Sequence, residues 1–198
     1  MMGKTHFTVG LATSLAVLQP KSISECLVAI VAGALGGVTA DNDTLLESSA
    51  LAGHLLSLRT TLIALVIDYF FALGICSSVM TNKTTAMIGL VSFLIFWIIG
   101  YFSVHRTFTH SFLAMVLYSL SIGFIYKPLA LGFMAAYLSH LFLDLLNKKK
   151  LPLLYPMSVG VCFKLCYANR TANSIFLYLG YITSAVLLTM GIISGFSS

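Results

Sequence analysis

The chain has 198 residues, of which 59% are hydrophobic and only 9% charged, and its mean hydropathy is +0.98. A soluble globular domain carries about 25% charged residues, so composition excludes one and points to an integral membrane protein, with no Pro/Gly/Ser-rich linker to divide 1–198 into more than a single domain. The net charge of +5 comes from scattered lysines and arginines without a basic-aromatic strip, which argues against a nucleic-acid partner and for loop charges that orient the chain in its bilayer.

A helix that crosses the hydrocarbon core needs about 20 mostly apolar residues. In chain order, 7–18 is short and ends at Gln19-Pro20-Lys21, so it is either a thin span or a re-entrant helix. Lys4 and His6 precede it and no small-residue cleavage pattern follows, so it is expected in the mature protein rather than as a signal peptide. Segment 23–38 is rich in Ala and Gly, which lets neighbouring helices approach closely, and it stops at the polar turn Thr39-Ala40-Asp41-Asn42-Asp43. Segment 44–57, with Glu47 and His54, is too short and polar to span and reads as an interfacial helix. Spans are expected at 58–76, 84–102, 110–126 and 129–146, the last ending in Asn147-Lys148-Lys149-Lys150. Segment 151–173 contains Pro152, Pro156, Lys164 and Arg170 and reads as irregular or interfacial, and a last span covers 174–195. The expected fold is therefore all-α, a polytopic transmembrane helical bundle of about six to seven membrane helices plus an interfacial helix.

Threading these segments alternately through a bilayer returns His6, the Asp41–Asp43 turn, the His105–His110 stretch and Asp144 to one side. Lys4, Arg59, Arg106, Lys148, Lys149, Lys150, Lys164 and Arg170 fall on that side, against Lys21, Lys83 and Lys127 on the other. By the positive-inside rule the motif-bearing side is cytoplasmic, and the expected location is the cell membrane, multi-pass, of the bacterial inner or plasma membrane type.

Chemistry concentrates in His105-Arg106-Thr107-Phe108-Thr109-His110-Ser111 and in Ser139-His140 with Asp144 one helical turn on. The i, i+4 spacing of His140 and Asp144 puts an imidazole and a carboxylate on one helix face, where they can converge on one ion; a His–Asp hydrogen bond pinning two helices is the plainer alternative. His105 and His110, five apart, do not share a face of a continuous helix, so 107–109 is expected to turn, with Thr109 as N-cap of a helix beginning at His110. Arg106 beside that helix N-terminus can clamp a phosphate bidentately, or else snorkel to the interface. Asp41 and Asp43 have a spacing suited to a divalent cation, though the same pattern also closes ordinary helix ends. His6 is a lone N-terminal histidine that gains interest from lying on the same side. His54 reads as a polar-face residue, and Asp68, mid-span, as protonated or hydrogen-bonded between helices. Cys26, Cys76, Cys162 and Cys166 read as free buried thiols rather than a disulfide or a metal clip, although the last two are spaced C-x3-C.

Thr5-His6 followed by Gly10, the Asp41-Asn42-Asp43 turn, His105-Arg106-x-x-Thr109-His110-Ser111, and Ser139-His140-x-x-x-Asp144 followed by Leu151-Pro152-Leu153-Leu154-Tyr155-Pro156 together resemble the YdjM-like family of membrane-bound metal-dependent hydrolases, over about residues 1–156. The resemblance implies a helical membrane protein whose His and Asp residues bind divalent metal, distantly similar to the zinc-dependent phospholipase C and nuclease group. Matched by position, it makes His6, Asp41, Asp43, His110, His140 and Asp144 metal ligands, with His105 and Arg106 beside them. The chain departs from the family pattern at Ala40, Thr44, Thr107 and Asn147 and keeps the ligand types.

The leading expectation is a hydrolase acting on a phosphate ester of a phospholipid or lipid-linked substrate through a metal-activated water. Arg106, His105 and Asp43 would be catalytic, Asp41 or Asp43 being available as general base instead of ligand, and zinc ranks ahead of manganese given the mixed nitrogen and oxygen donors. Two alternatives are a transporter or channel with a His/Asp pathway and a non-catalytic membrane scaffold. Transport would need polar residues on both faces, and apart from Asp68 this chain gathers them on one.

Overall fold

The computed structural model describes residues 2–46, 83–157, 159–166 and 171–197. Within them the chain forms α1 (Gly3–Leu18), α2 (Ile23–Thr39), a 3-10 turn (Ala40–Leu46), α3 (Lys83–Phe102), α4 (Phe112–Ile125), α5 (Lys127–Leu145) and α6 (Thr171–Ser197). Among the described residues there is no strand, only an isolated bridge from Leu151 to Val161 in the irregular loop after α5. The expected interfacial helix beyond Leu46, with Glu47 and His54, lies outside the described residues, as do the expected span 58–76 with Asp68 and the side chains of Arg59, Cys76 and Arg170.

Helix ends follow local chemistry. Gln19 closes α1 in the left-handed region at φ 45°, immediately before Pro20. Ser22 caps α2 by accepting from the Glu25 N–H at 3.3 Å, and Glu25 Oε2 accepts from the Lys21 N–H at 2.7 Å. Pro128 sits in the first turn of α5, where its missing N–H has no cost. α4 departs from expectation: it begins at Phe112, capped by Ser111 through the Ala114 N–H at 3.1 Å, because the Thr109 hydroxyl is already engaged elsewhere.

Four helices among the described residues are long and apolar enough to cross a membrane: Ile23–Asp43, Thr84–Phe102, Lys127–Leu145 and Thr171–Phe196. That is fewer than the six to seven expected. α1 has 16 residues and α4 has 14, rises of about 24 and about 21 Å, against a hydrocarbon core of about 30 Å.

α1, α2 and α5 pack against one another, α6 lies on α1, α4 lies on α5, and α3 closes against α4 and the 3-10 turn. Half of the α2 span and 44% of the α5 span are buried, against 17% for α3 and α6, so α2 and α5 form the interior. Ile88, Val91, Ile95 and Ile98 on α3 and Ile182, Val186, Met190 and Ile193 on α6 stay exposed, the pattern of a lipid-facing surface. The α1–α2 crossing is set by glycine: a Cβ on Gly10 would stand 2.8 Å from Gly37 Cα, and one on Gly37 would stand 2.7 Å from the His6 carbonyl oxygen. Such backbone contact substitutes for the hydrophobic drive that lipid does not supply. Buried polar side chains stitch the helices further, with Ser14 Oγ donating to Ala29 O at 2.8 Å and Tyr118 Oη to Phe96 O at 2.8 Å. Cys26 is buried and free as expected; Cys162 and Cys166 are also free but only partly buried.

Candidate metal centre

One end of this bundle collects the N-terminal ends of α1 and α4 and the C-terminal ends of α2, α3 and α5. Gly37 lies in the last turn of α2, where helix carbonyls run out of intrahelical donors. Its oxygen accepts from His140 Nδ1 on α5 at 2.8 Å. A carbonyl only accepts, so the proton is on Nδ1 and the His140 Nε2 lone pair turns inward. His6 stacks on that ring at 3.8 Å between centroids and an interplanar angle of 22°. Its Nε2 stands 3.2 Å from Asp144 Oδ1, and Asp144 shares the buried face of α5 with His140, as the i, i+4 spacing requires.

The second wall is the 105–111 turn, built on Asp43. Asp43 Oδ1 accepts from His105 Nδ1 at 2.8 Å. Its Oδ2 accepts from the Arg106 N–H at 2.8 Å and the Thr109 hydroxyl at 2.6 Å, with His110 Nδ1 at 3.2 Å. Tyr137 on α5 donates its hydroxyl to the Thr109 carbonyl, and Asn42 Nδ2 ties the 3-10 turn to Trp97 O on α3 at 2.8 Å. With Nδ1 facing Asp43, His110 presents Nε2 to Asp144 Oδ2 at 3.5 Å and to Asp41 Oδ1 at 3.8 Å. His140 Nε2 reaches the same Asp41 oxygen at 3.6 Å.

Arg106 adopts φ 64°, a left-handed conformation that costs a non-glycine residue about 1–2 kcal/mol. The Asp43 hydrogen bond to its N–H holds that backbone, and Arg106 Nη2 reaches Asp144 Oδ2 at 3.1 Å. Its Nε and Nη1 are buried without a hydrogen-bond partner. The α4 N-terminus is not the open anion site that was expected beside it: the Phe112 N–H goes to Leu153 O at 2.9 Å and the Ala114 N–H to Ser111.

His110 lies in the turn ahead of α4. Burial alone would remove its proton, but the carboxylates of Asp144 and Asp43 close to its two ring nitrogens and the charge of Asp41 outweigh that and lift its pKa to about 9. A cation arriving at its Nε2 has to displace that proton.

His6 Nε2, His110 Nε2 and His140 Nε2 are all buried without a hydrogen-bond partner, a costly arrangement for protein alone and a suitable one for a Lewis acid. Their donors fall into two groups within 4.8 Å, His6–His140–Asp144 and Asp41–His110–His140. These residues can hold a divalent ion. Five of the six expected ligands therefore gather. Asp43 joins neither group, its oxygens being turned to the 105–111 turn, and His105 stands behind it with a quarter of its side chain exposed. Sequence reasoning missed the Gly37 carbonyl, Tyr137, and Asn173, whose Oδ1 accepts from the Thr5 hydroxyl at 2.9 Å next to His6. A main-chain acceptor leaves no trace in residue type, and an asparagine 168 positions away leaves none in spacing.

No curated protein and no solved structure matches the chain. The pattern of one family does, from residue 1 to 196, so that the match takes in the buried His/Asp cluster, every described helix and the C-terminal span beyond the stretch where the resemblance was legible. This apolar helical chain belongs to the YdjM inner membrane protein family and is a multi-pass protein of the cell membrane.

Proposed function

We propose that the protein is a metal-dependent hydrolase of the membrane interface that cleaves a phosphate ester of a phospholipid or lipid-linked substrate. One observation carries this reading: three buried imidazole nitrogens without hydrogen-bond partners converge with Asp41 and Asp144 beside a guanidinium whose Nε and Nη1 are also unpartnered. The mixed nitrogen and oxygen donors suit zinc first and manganese second. The C-terminal ends of α2 and α5, negative by their helix dipoles, also favour a cation there.

A bound divalent ion supplies an activated water and stabilises charge on the phosphoryl oxygens. Arg106, anchored to Asp144 through Nη2, offers its Nε–H and Nη1–H as separate donors to phosphoryl oxygens. His105 donates Nδ1–H to Asp43, which fixes its tautomer and leaves Nε2 to accept or deliver a proton. Asp43 thus serves as the orienting partner of His105. Exposed Phe102 and Val104 next to this turn, and Leu154, Met157 and Leu165 beyond Lys148, Lys149 and Lys150, give the site an apolar border rimmed by positive charge, as an anionic lipid headgroup requires. The lysine-rich side makes the site cytoplasmic.

The test uses the full chain in phospholipid vesicles, with phosphate-ester cleavage followed on phosphatidylglycerol and on a lipid-linked diphosphate, with zinc and with chelator. Turnover that chelation abolishes and that Arg106→Ala lowers by about 100-fold or more supports the proposal. Turnover indifferent to both chelation and His140→Ala overturns it.

A further inference from the structure

The cluster offers more donors than one catalytic ion uses. A catalytic zinc takes three protein ligands and leaves a position open, whereas His6, His110, His140, Asp41 and Asp144 supply two overlapping groups of donors. His140 appears in both groups yet has only one lone pair to give, because its Nδ1 is spent on the Gly37 carbonyl at 2.8 Å. It can therefore serve one ion. Asp144 is under no such limit, since its two oxygens face different imidazoles: Oδ1 is 3.2 Å from His6 Nε2 and Oδ2 is 3.5 Å from His110 Nε2.

We infer that the cluster is a two-ion centre bridged by Asp144, with one ion held by His6, His140 and Asp144 Oδ1 and the other by His110, Asp41 and Asp144 Oδ2. Each ion then has three protein ligands and no donor is used twice, the outer set taking Asp144 Oδ2, 3.5 Å from His110 Nε2, in place of the His140 that stands in the Asp41–His110–His140 group. The two positions differ in access. His6, His140 and Asp144 are at most 1% exposed, so the first is an inner site. The second includes Asp41, whose side chain is 29% exposed, so it is the outer site, open to water and substrate. Arg106 Nη2, 3.1 Å from Asp144 Oδ2, sits on the outer side and faces whatever binds there. Slow release from the inner position and fast release from the outer one follow from that difference in burial.

This inference rests on the metal-binding reading, and its test separates the two. Full-length protein is purified in detergent, reloaded with zinc, and its ions per chain are counted by elemental mass spectrometry, with helicity and elution volume as checks of folding. Two ions per chain are expected in the wild type, removed by chelator in two kinetic phases. Asp41→Asn and His6→Gln should each keep one ion, the former retaining the slow phase and the latter the fast one. Asp41→Asn, at a partly exposed position, keeps the test usable if His6→Gln does not fold. Asp144→Ala should hold less than one. One ion in the wild type, lost in both Asp41→Asn and His6→Gln, overturns the two-ion centre and leaves a metal-dependent protein. No ion in the wild type overturns both.

Discussion

Around Asp43 the buried polar atoms find one another: both carboxylate oxygens are taken, by His105, the Arg106 N–H, Thr109 and His110. Around Asp144, equally buried, the neighbouring His6 and His140 Nε2 atoms have no hydrogen-bond partner. Both regions sit at the same end of the bundle and share His110, whose Nδ1 faces one carboxylate and whose Nε2 faces the other. Burial of a polar group is costly unless something satisfies it. A carboxylate saturated by its own protein is a joint, and a set of donors left unsatisfied is a receptor. Asp41, Asp43 and Asp144 are alike in residue type, and only the partners distinguish their roles.

Removing the joint is the strongest way to break that contrast. Asp43→Ala leaves His105 Nδ1, the Arg106 N–H and the Thr109 hydroxyl buried or part-buried without an acceptor, and should destabilise the protein by about 3 kcal/mol or more, read as a lower midpoint of thermal unfolding in detergent. Asp43→Ala that keeps its stability and loses an ion would make Asp43 a ligand and dissolve the comparison. A smaller change tests the receptor side without touching a donor. Gly37→Ala places a Cβ 2.7 Å from the His6 carbonyl oxygen, main chain against main chain, so α1 must move away and His6 with it. Zinc affinity should fall by about 10–100-fold, as for loss of a group that orients a ligand, measured by competition with a chromophoric chelator. The smallest effect is expected at Ser111→Ala, which removes the α4 cap and should cost about 1 kcal/mol with ion content unchanged.

Much of this architecture was legible in the chain. Spans at α2, α3, α5 and α6 follow from apolar runs that leave few other options in lipid, and their bounds agree with expectation within a few residues. The i, i+4 pair on α5 and the return of every motif to one end follow from helical periodicity and alternation. What was not legible depended on competition between partners. Thr109 was a reasonable N-cap until Asp43 claimed its hydroxyl, which passed capping to Ser111 and moved the helix start to Phe112. Asp41 and Asp43 look interchangeable two residues apart, yet the 3-10 turn points one at the imidazoles and the other at the 105–111 turn. The α4 N-terminus looked open to anions because nothing in its own residues announces that Leu153 returns to cover it.

The Gly37 carbonyl carries a consequence of a different kind. Every amino acid brings the same carbonyl, so the bond that fixes the His140 tautomer cannot be deleted by changing residue type, and drift at position 37 is screened by size alone. The candidate ligand side chains can be lost one at a time by single substitutions, but the feature that orients the His140 ring is inherited with the helix itself. A lineage of this family could exchange aspartate for histidine around the cavity and still keep His140 aimed into it, for as long as a residue without a side chain lets α1, α2 and α5 meet.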